Sequence, residues 1–166
     1  MTNGLRHRFP SIDLRTLIEV VGFVVLVNVL GSAPGVVFGP DSAWFRALEK
    51  PWFYPPELAF PVVWTLLFTL LGISLWLVWR ADSGGLALGL FVVQFALNVA
   101  WTPAFFGLES IVGGIAVLVP LVALVCATVY AFWRVDRRAA VLLVPYLLWV
   151  TFALALTLEF WRLNPA

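Results

Sequence analysis

The chain carries one cysteine, Cys126, so no internal disulfide can form, and one histidine, His7, which cannot assemble a histidine metal site. Its single methionine is the initiator, Met1. Histidine and methionine, common axial ligands of haem iron, are therefore missing from the apolar stretches, where Tyr130 and Tyr146 remain as oxygen donors. Charge is scarce as well: 11% of residues are charged, against about 25% in a soluble domain. Ten basic and nine acidic residues leave a net charge of +1, which offers nucleic acid no basic footprint. Phosphate-binding glycine loops, nucleophile elbows and zinc spacings are absent, and Glu109 has no second acidic residue placed to make an acid/base pair. These absences exclude most soluble enzyme classes.

What the chain has is apolar surface. Hydrophobic residues make up 63% of its 166 positions and nine of them are Trp, too much for its few polar residues to cover, so its solvent is a bilayer. A helix needs about 20 residues to cross a hydrocarbon core. Five charge-free stretches reach that length: Val20 to Pro40, Leu58 to Trp79, Ser83 to Leu108, Ser110 to Trp133 and Ala139 to Leu158. They are continuously apolar and rich in Leu, Val and Ala, whereas barrel strands alternate in segments of about ten residues. The expected fold is an all-α integral membrane protein, a five-transmembrane-helix bundle. One membrane domain fills residues 1–166, with helices at about 14–38, 58–80, 84–107, 110–134 and 139–162 and a structured lid at about 39–57. The first stretch also has the look of a signal peptide, with basic residues before it and small Gly31-Ser32-Ala33 within it. It outlasts an h-region of about 7 to 15 residues, and it is expected to be retained.

With five spans, Arg6, Arg8, Arg15, Arg80, Arg134, Arg137 and Arg138 fall on one side of the membrane and Arg46, Lys50 and Arg162 on the other. For a plasma membrane, the expected setting, the positive-inside rule then favours a cytoplasmic N-terminus. The connection from Asp41 to Glu57 holds Pro51, Pro55 and Pro56 among Trp44, Phe45, Trp52, Phe53 and Tyr54, a composition that fits neither a flexible linker nor a continuous helix. Amphipathic rings favour the headgroup region, so this segment should cap the bundle. Trp76, Trp79, Trp133 and Trp161 lie at span ends and read as the interfacial aromatic belt. Glu19 and Glu159 stand close enough to span ends to reach the interface.

Gln94, Asn98, Trp101 and Phe105 share one face of the third span, and the two amides require that face to look inward. Two readings stand for Gln94 and Asn98: bonding between helices, and contact with a ligand. Tyr146, Trp149, Ala153 and Thr157 repeat the pattern on the fifth span, where Trp149 beside Ala153 is either a packed core indole or a platform for a planar guest. Trp64 and Phe68 share a face of the second span. Pro34, Pro61, Pro103, Pro120 and Pro145 bend helices and open gaps between them. Gly85 and Gly89 form a small-residue pair that serves either a second protomer or packing within the chain.

The chain resembles the TspO/MBR family, the tryptophan-rich sensory proteins and mitochondrial translocator proteins. The resemblance rests on three ordered blocks. The first is Trp44, Leu48, Lys50, Pro51, Pro55-Pro56, Phe60 and Val63-Trp64; the second is Gln94, Leu97-Asn98, Trp101, Pro103 and Phe105-Phe106-Gly107; the third is Pro145-Tyr146-Leu147, Trp149, Phe152-Ala153 and Trp161-Arg162. It implies a five-helix bundle, often dimeric, with a pocket under the first loop that accepts porphyrins and, in animal relatives, cholesterol. The pocket tryptophans would be Trp64, Trp101 and Trp149, with Ala153 in its wall. Trp64 and Trp149 match the pair tied in some bacterial relatives to light-dependent breakdown of protoporphyrin. The chain departs from the family at Phe45 and Phe68, where relatives commonly carry Tyr, at Trp52-Phe53 in place of Ser-Trp, and at Leu158, where a proposed sterol motif needs Tyr.

The leading expectation is reversible binding of a flat tetrapyrrole, protoporphyrin or haem-like, between the second, third and fifth helices. The residues expected to serve it are Trp44, Phe45, Arg46, Lys50, Phe60, Trp64, Phe68, Asn98, Trp101, Tyr146, Trp149 and Ala153. Trp64 and Trp149 would flank the ring, Asn98 would supply a hydrogen bond, and Arg46 and Lys50 would either pair with propionates or stand as ordinary interfacial charges. No metal site and no nucleic-acid partner are expected. The alternatives are a porphyrin-degrading enzyme using Trp64 and Trp149, and a transporter of a sterol or lipid-like solute.

Overall fold

A computed structural model of the chain describes residues 13–81 and 85–165. Arg6, His7 and Arg8 of the basic tail, and Asp82 to Gly84 of the second turn, lie outside the described residues. Among those described, every regular element is helical: α1 (Leu14–Val37), α2 (Ala43–Ala47), α3 (Ala59–Arg80), α4 (Gly85–Thr102), a π-helical turn (Pro103–Gly107), α5 (Ile111–Val135) and α6 (Arg137–Leu163). Five of these are long and apolar enough to cross a bilayer, and the protein is an integral, multi-pass membrane protein in contact with lipid.

The long helices form a ring in which α3 packs on α1 and α6, α5 on α6 and α4, and a looser contact between α1 and α4 closes it. Phe91, Phe132, Leu71, Leu121, Leu143 and Val150 fill the middle. The third span does not run as one α-helix. Pro103 has no N–H to give, and the chain shifts to bonds that skip five residues, Leu108 N to Pro103 O at 2.9 Å and Ser110 N to Phe105 O at 3.1 Å. Glu109 then takes a left-handed backbone, φ 49°, to turn the chain into α5. Ser110 caps α5 by accepting from Gly113 N. At the opposite end a single residue, Asp136, separates α5 from α6 and caps α6 by accepting from Arg138 N at 2.8 Å.

α1 is the outlier. Val27 is its one buried residue, and much of the rest of its surface is Leu, Val and Ile open to lipid. Several contacts hold it to α3. Gly72 brings the backbones together at Val24, and Asn28 Nδ2 donates to Thr69 Oγ1 at 3.3 Å. Away from the lid, Glu19 gathers Arg15, Arg80 and the Trp76 indole N–H, so that Trp76 is a tie between helices as well as an interfacial ring. Trp79, Trp133 and Trp161 are each about half exposed at span ends.

The lid is ordered. Ser42 caps the short α2 through Phe45 N, and Phe45 inserts among Phe105, Phe106 and Phe160. Asn164, just past α6, closes a two-way clasp with Glu49: it accepts from Glu49 N at 2.9 Å and donates to Glu49 O at 3.1 Å.

Candidate functional site

Beneath the lid lies a cavity of about 640 Å³. Phe60, Trp64 and Phe68 stand on one face of α3 at four-residue steps and form its first wall. Trp64 stacks on Phe68, with centroids 5.1 Å apart and planes 29° apart. Phe68 is held by Phe95 on one side and by Gly31 of α1 on the other, where a Cβ would stand 2.5 Å from the ring. Asn98, Trp101 and Thr102 of α4 and Phe106 of the π-helical turn form the second wall, and Gly31, Ser32 and Gly35 of α1, with Phe38 just past its end, the third. Phe45, Arg46, Lys50 and Tyr54 of the lid roof it, with Asp41 and Glu57 at the rim.

Charge is confined to that rim. Arg46 and Lys50 form no ion pair among the described residues; the Lys50 ammonium instead lies over the rings of Phe45, at 5.5 Å, and Tyr54, at 5.0 Å. Burial, and then the carboxylate of Glu57, push the Tyr54 phenol above its ordinary pKa, so it stays a neutral donor. Deeper in, the indole N–H of Trp101 is buried and has no hydrogen-bond partner among the described residues. Leaving a buried donor unmade costs about 1–3 kcal/mol, and this one sits in a residue that lines the cavity.

A second hollow, about 50 Å³, lies on the far side of Trp64 and Phe60, between the lid, the end of α4 and α6. Trp149, Phe152, Ala153 and Thr157 line it from α6. Trp64 and Trp149 meet there edge to face, 6.4 Å apart at 90°.

The structure therefore moves the expected site. Of the residues singled out in the sequence, Phe45, Arg46, Lys50, Phe60, Trp64, Phe68, Asn98 and Trp101 line the larger cavity, and Trp149 and Ala153 line the smaller hollow only. Trp44 lines neither; it packs edge-on against Phe105 at 5.5 Å. Tyr146 lines neither, because it is fully buried and its hydroxyl donates to Gln94 Oε1 at 2.9 Å. Gln94 is thereby placed in bonding between α4 and α6, while Asn98 reaches the cavity. The spacing of these residues could not show this, because it fixes which side chains share a face and not what faces them. The larger space lies between α1, α3 and α4, rather than between α3, α4 and α6. The α1 wall was missed: its contribution is Gly31, Ser32 and Gly35, whose function is to leave room and whose chemistry announces nothing. The one available signal was four small residues in five, Gly31, Ser32, Ala33 and Gly35, on an otherwise bulky helix. No group of three His, Cys, Asp or Glu that could hold a metal ion occurs among the described residues.

The family model described as TspO/MBR family matches residues 23–162. The chain is similar to Protein CrtK of Rhodobacter capsulatus, 44% identical over 138 residues that cover 81% of this chain and 86% of that one. It is 40% identical over 133 residues to the tryptophan-rich sensory protein of Cereibacter sphaeroides, covering 80% and 84% of the two chains. To the translocator protein of Homo sapiens it is 36% identical over 155 residues, covering 89% and 90%.

Proposed function

The chain belongs to the TspO/MBR family, and from that premise we propose that it is a membrane receptor binding a flat tetrapyrrole, or a hydrophobic ligand of like shape, in the cavity under its lid. The observation that carries this reading is the cavity of about 640 Å³ under the lid, walled by Trp64, Phe68 and Trp101, the last of which has a buried indole N–H with no hydrogen-bond partner among the described residues. That volume lies inside the range of about 300–1,000 Å³ usual for small-molecule sites. A ring nitrogen or carbonyl of the guest would accept from Trp101, Asn98 would offer a second polar contact, and Trp64 and Phe68 would give the ring a stacked aromatic face. Arg46 and Lys50, which form no ion pair among the described residues, would meet propionates at the rim.

Titration with protoporphyrin in darkness tests this. Saturable quenching of tryptophan fluorescence is expected, and Trp101→Phe, which keeps the ring and loses the donor, should weaken binding about tenfold, the loss of roughly 1.4 kcal/mol. Absence of saturable quenching, or unchanged affinity in both Trp101→Phe and Trp64→Ala, would overturn it.

The contact between Trp64 and Trp149 favours a second reading, light-driven breakdown of the bound pigment by dioxygen, with the two indoles relaying electrons. Under illumination, Trp149→Phe would then keep binding and lose the decay of porphyrin absorbance. The same proposal includes a plasma-membrane setting with the N-terminus in the cytoplasm, and a homodimer. A Cβ at Gly85 or Gly89 would meet nothing within 4 Å, so packing within the described chain does not use that face of α4. Gly89→Leu should abolish dimers counted by single-molecule photobleaching.

A further inference from the structure

Two glycines stand where a ring on the cavity wall presses against backbone. A Cβ on Gly31 of α1 would lie 2.5 Å from Cζ of Phe68 and 2.7 Å from each of its Cε atoms. A Cβ on Gly107, the last residue of the π-helical turn, would lie 2.9 Å from Cδ1 of Phe38 and 3.1 Å from its Cε1. Phe68 and Phe38 both line the larger cavity. Neither glycine has a left-handed backbone, so a side chain is barred by the facing ring and not by φ. Together they tie the third wall to the other two. Gly31 receives a ring from α3, and Gly107, next to Phe106 of the second wall, receives the ring that follows α1.

The two contacts differ in how far the ring can give. Phe68 is 3% exposed, stacked on Trp64 at 5.1 Å and met edge-on by Phe95 at 6.2 Å. It cannot make way for a methyl at Gly31 unless Trp64 or α1 moves, and each of those forms a wall. Phe38 is 37% exposed, so its ring can turn aside at smaller cost. Along α1, Val24, Asn28 and Gly31 stand on one face at steps of 4 and 3, and meet in turn the backbone at Gly72, the hydroxyl of Thr69 and the ring of Phe68. Of these three, Gly31 is the one that lines the cavity.

We propose that Gly31 is a positioning residue for the ligand site and Gly107 a weaker one: each, by lacking a side chain, lets a wall ring settle against backbone, and those two contacts set the width of the cavity. This rests on the binding reading above and adds the residues that shape the site, each acting through a ring.

The test is a double-mutant cycle on protoporphyrin affinity, read in darkness by tryptophan quenching, with the thermal midpoint of every variant measured beside it. Alanine is the better helix former, so without the facing ring Gly31→Ala would be harmless or favourable. In the wild type it should weaken binding about fivefold, and in a Phe68→Met background, whose flexible side chain can turn aside, by less than about twofold. Gly72→Ala is the control: its obstacle is the Val24 backbone, so its loss of affinity should be the same in both backgrounds. Gly107→Ala should cost less than Gly31→Ala, and that loss should vanish with Phe38→Met. Should Gly31→Ala not fold, or Phe68→Met not bind, the Gly107 and Phe38 cycle decides by the same rule. Unchanged affinity in the glycine variant, whatever its thermal midpoint, means packing alone and overturns the proposal. So does an equal loss in both backgrounds, or relief of Gly72→Ala as complete as that of Gly31→Ala. Absence of saturable quenching in the wild type removes the binding reading and this proposal with it, a result distinct from the others.

Discussion

At Gly72 the backbone of α3 meets that of α1 so closely that a Cβ would lie 2.6 Å from Val24 Cα. The obstacle is backbone, which cannot rotate aside, so Gly72→Ala must displace α1. It should cost about 1–3 kcal/mol, read as a lower midpoint of thermal unfolding in detergent. The same substitution should weaken protoporphyrin binding, because α1 supplies a cavity wall. Glu109 poses the opposite case: its φ of 49° suits Asn better than Glu, and Glu109→Asn should raise stability by about 0.5–1 kcal/mol in the same assay. Single residues were also where the sequence misled. Tyr146 and Trp149 sit three positions apart on one face, yet the first is buried between Gln94 of α4 and Trp64 of α3 and the second stands behind Trp64. Composition and spacing assign a face to each; which neighbour fills that face is decided by the packing of other helices.

The helices themselves were legible, since a stretch of about 20 apolar residues without charge has few other fates in a bilayer. What periodicity could not supply was the rotation of α1 about its own axis. That helix is apolar on all sides, and its small face, Gly31 to Gly35, is marked only by an absence of bulk. The break in the third span was half visible: Pro103 announces a missing donor, but the five-residue bonding that replaces the α-helical pattern depends on where α5 begins. The α5–α6 junction carries a prediction in pH. The Arg138 side chain, bonding to both carboxylate oxygens, outweighs desolvation and holds Asp136 below its usual pKa. A carboxylate whose folded pKa is depressed stabilises the fold fully above its unfolded pKa, about 4, and loses that contribution as pH falls through the lower folded value. Unfolding midpoints of wild type and Asp136→Asn should therefore differ by a constant amount from pH 5 to 7 and converge as the pH drops below about 4.

For the molecule as a whole, the ring of helices is uneven. The loosest contact in the ring is between α1 and α4, and the cavity lies there, between α1, α3 and α4. A guest placed there bridges α1 to α3 and α4, so saturating protoporphyrin should raise the thermal midpoint of the wild type and do so less in Trp64→Ala. The clasp between Glu49 and Asn164 joins residues separated by 115 positions. Ribosomes make the lid long before they make the helix end that fastens it. During biogenesis the roof must therefore wait without its clasp, and without the Phe160 ring, until the final span has been inserted. Nascent chains arrested before Asn164 should accordingly be cut by protease within the Glu49 segment, where the completed protein resists.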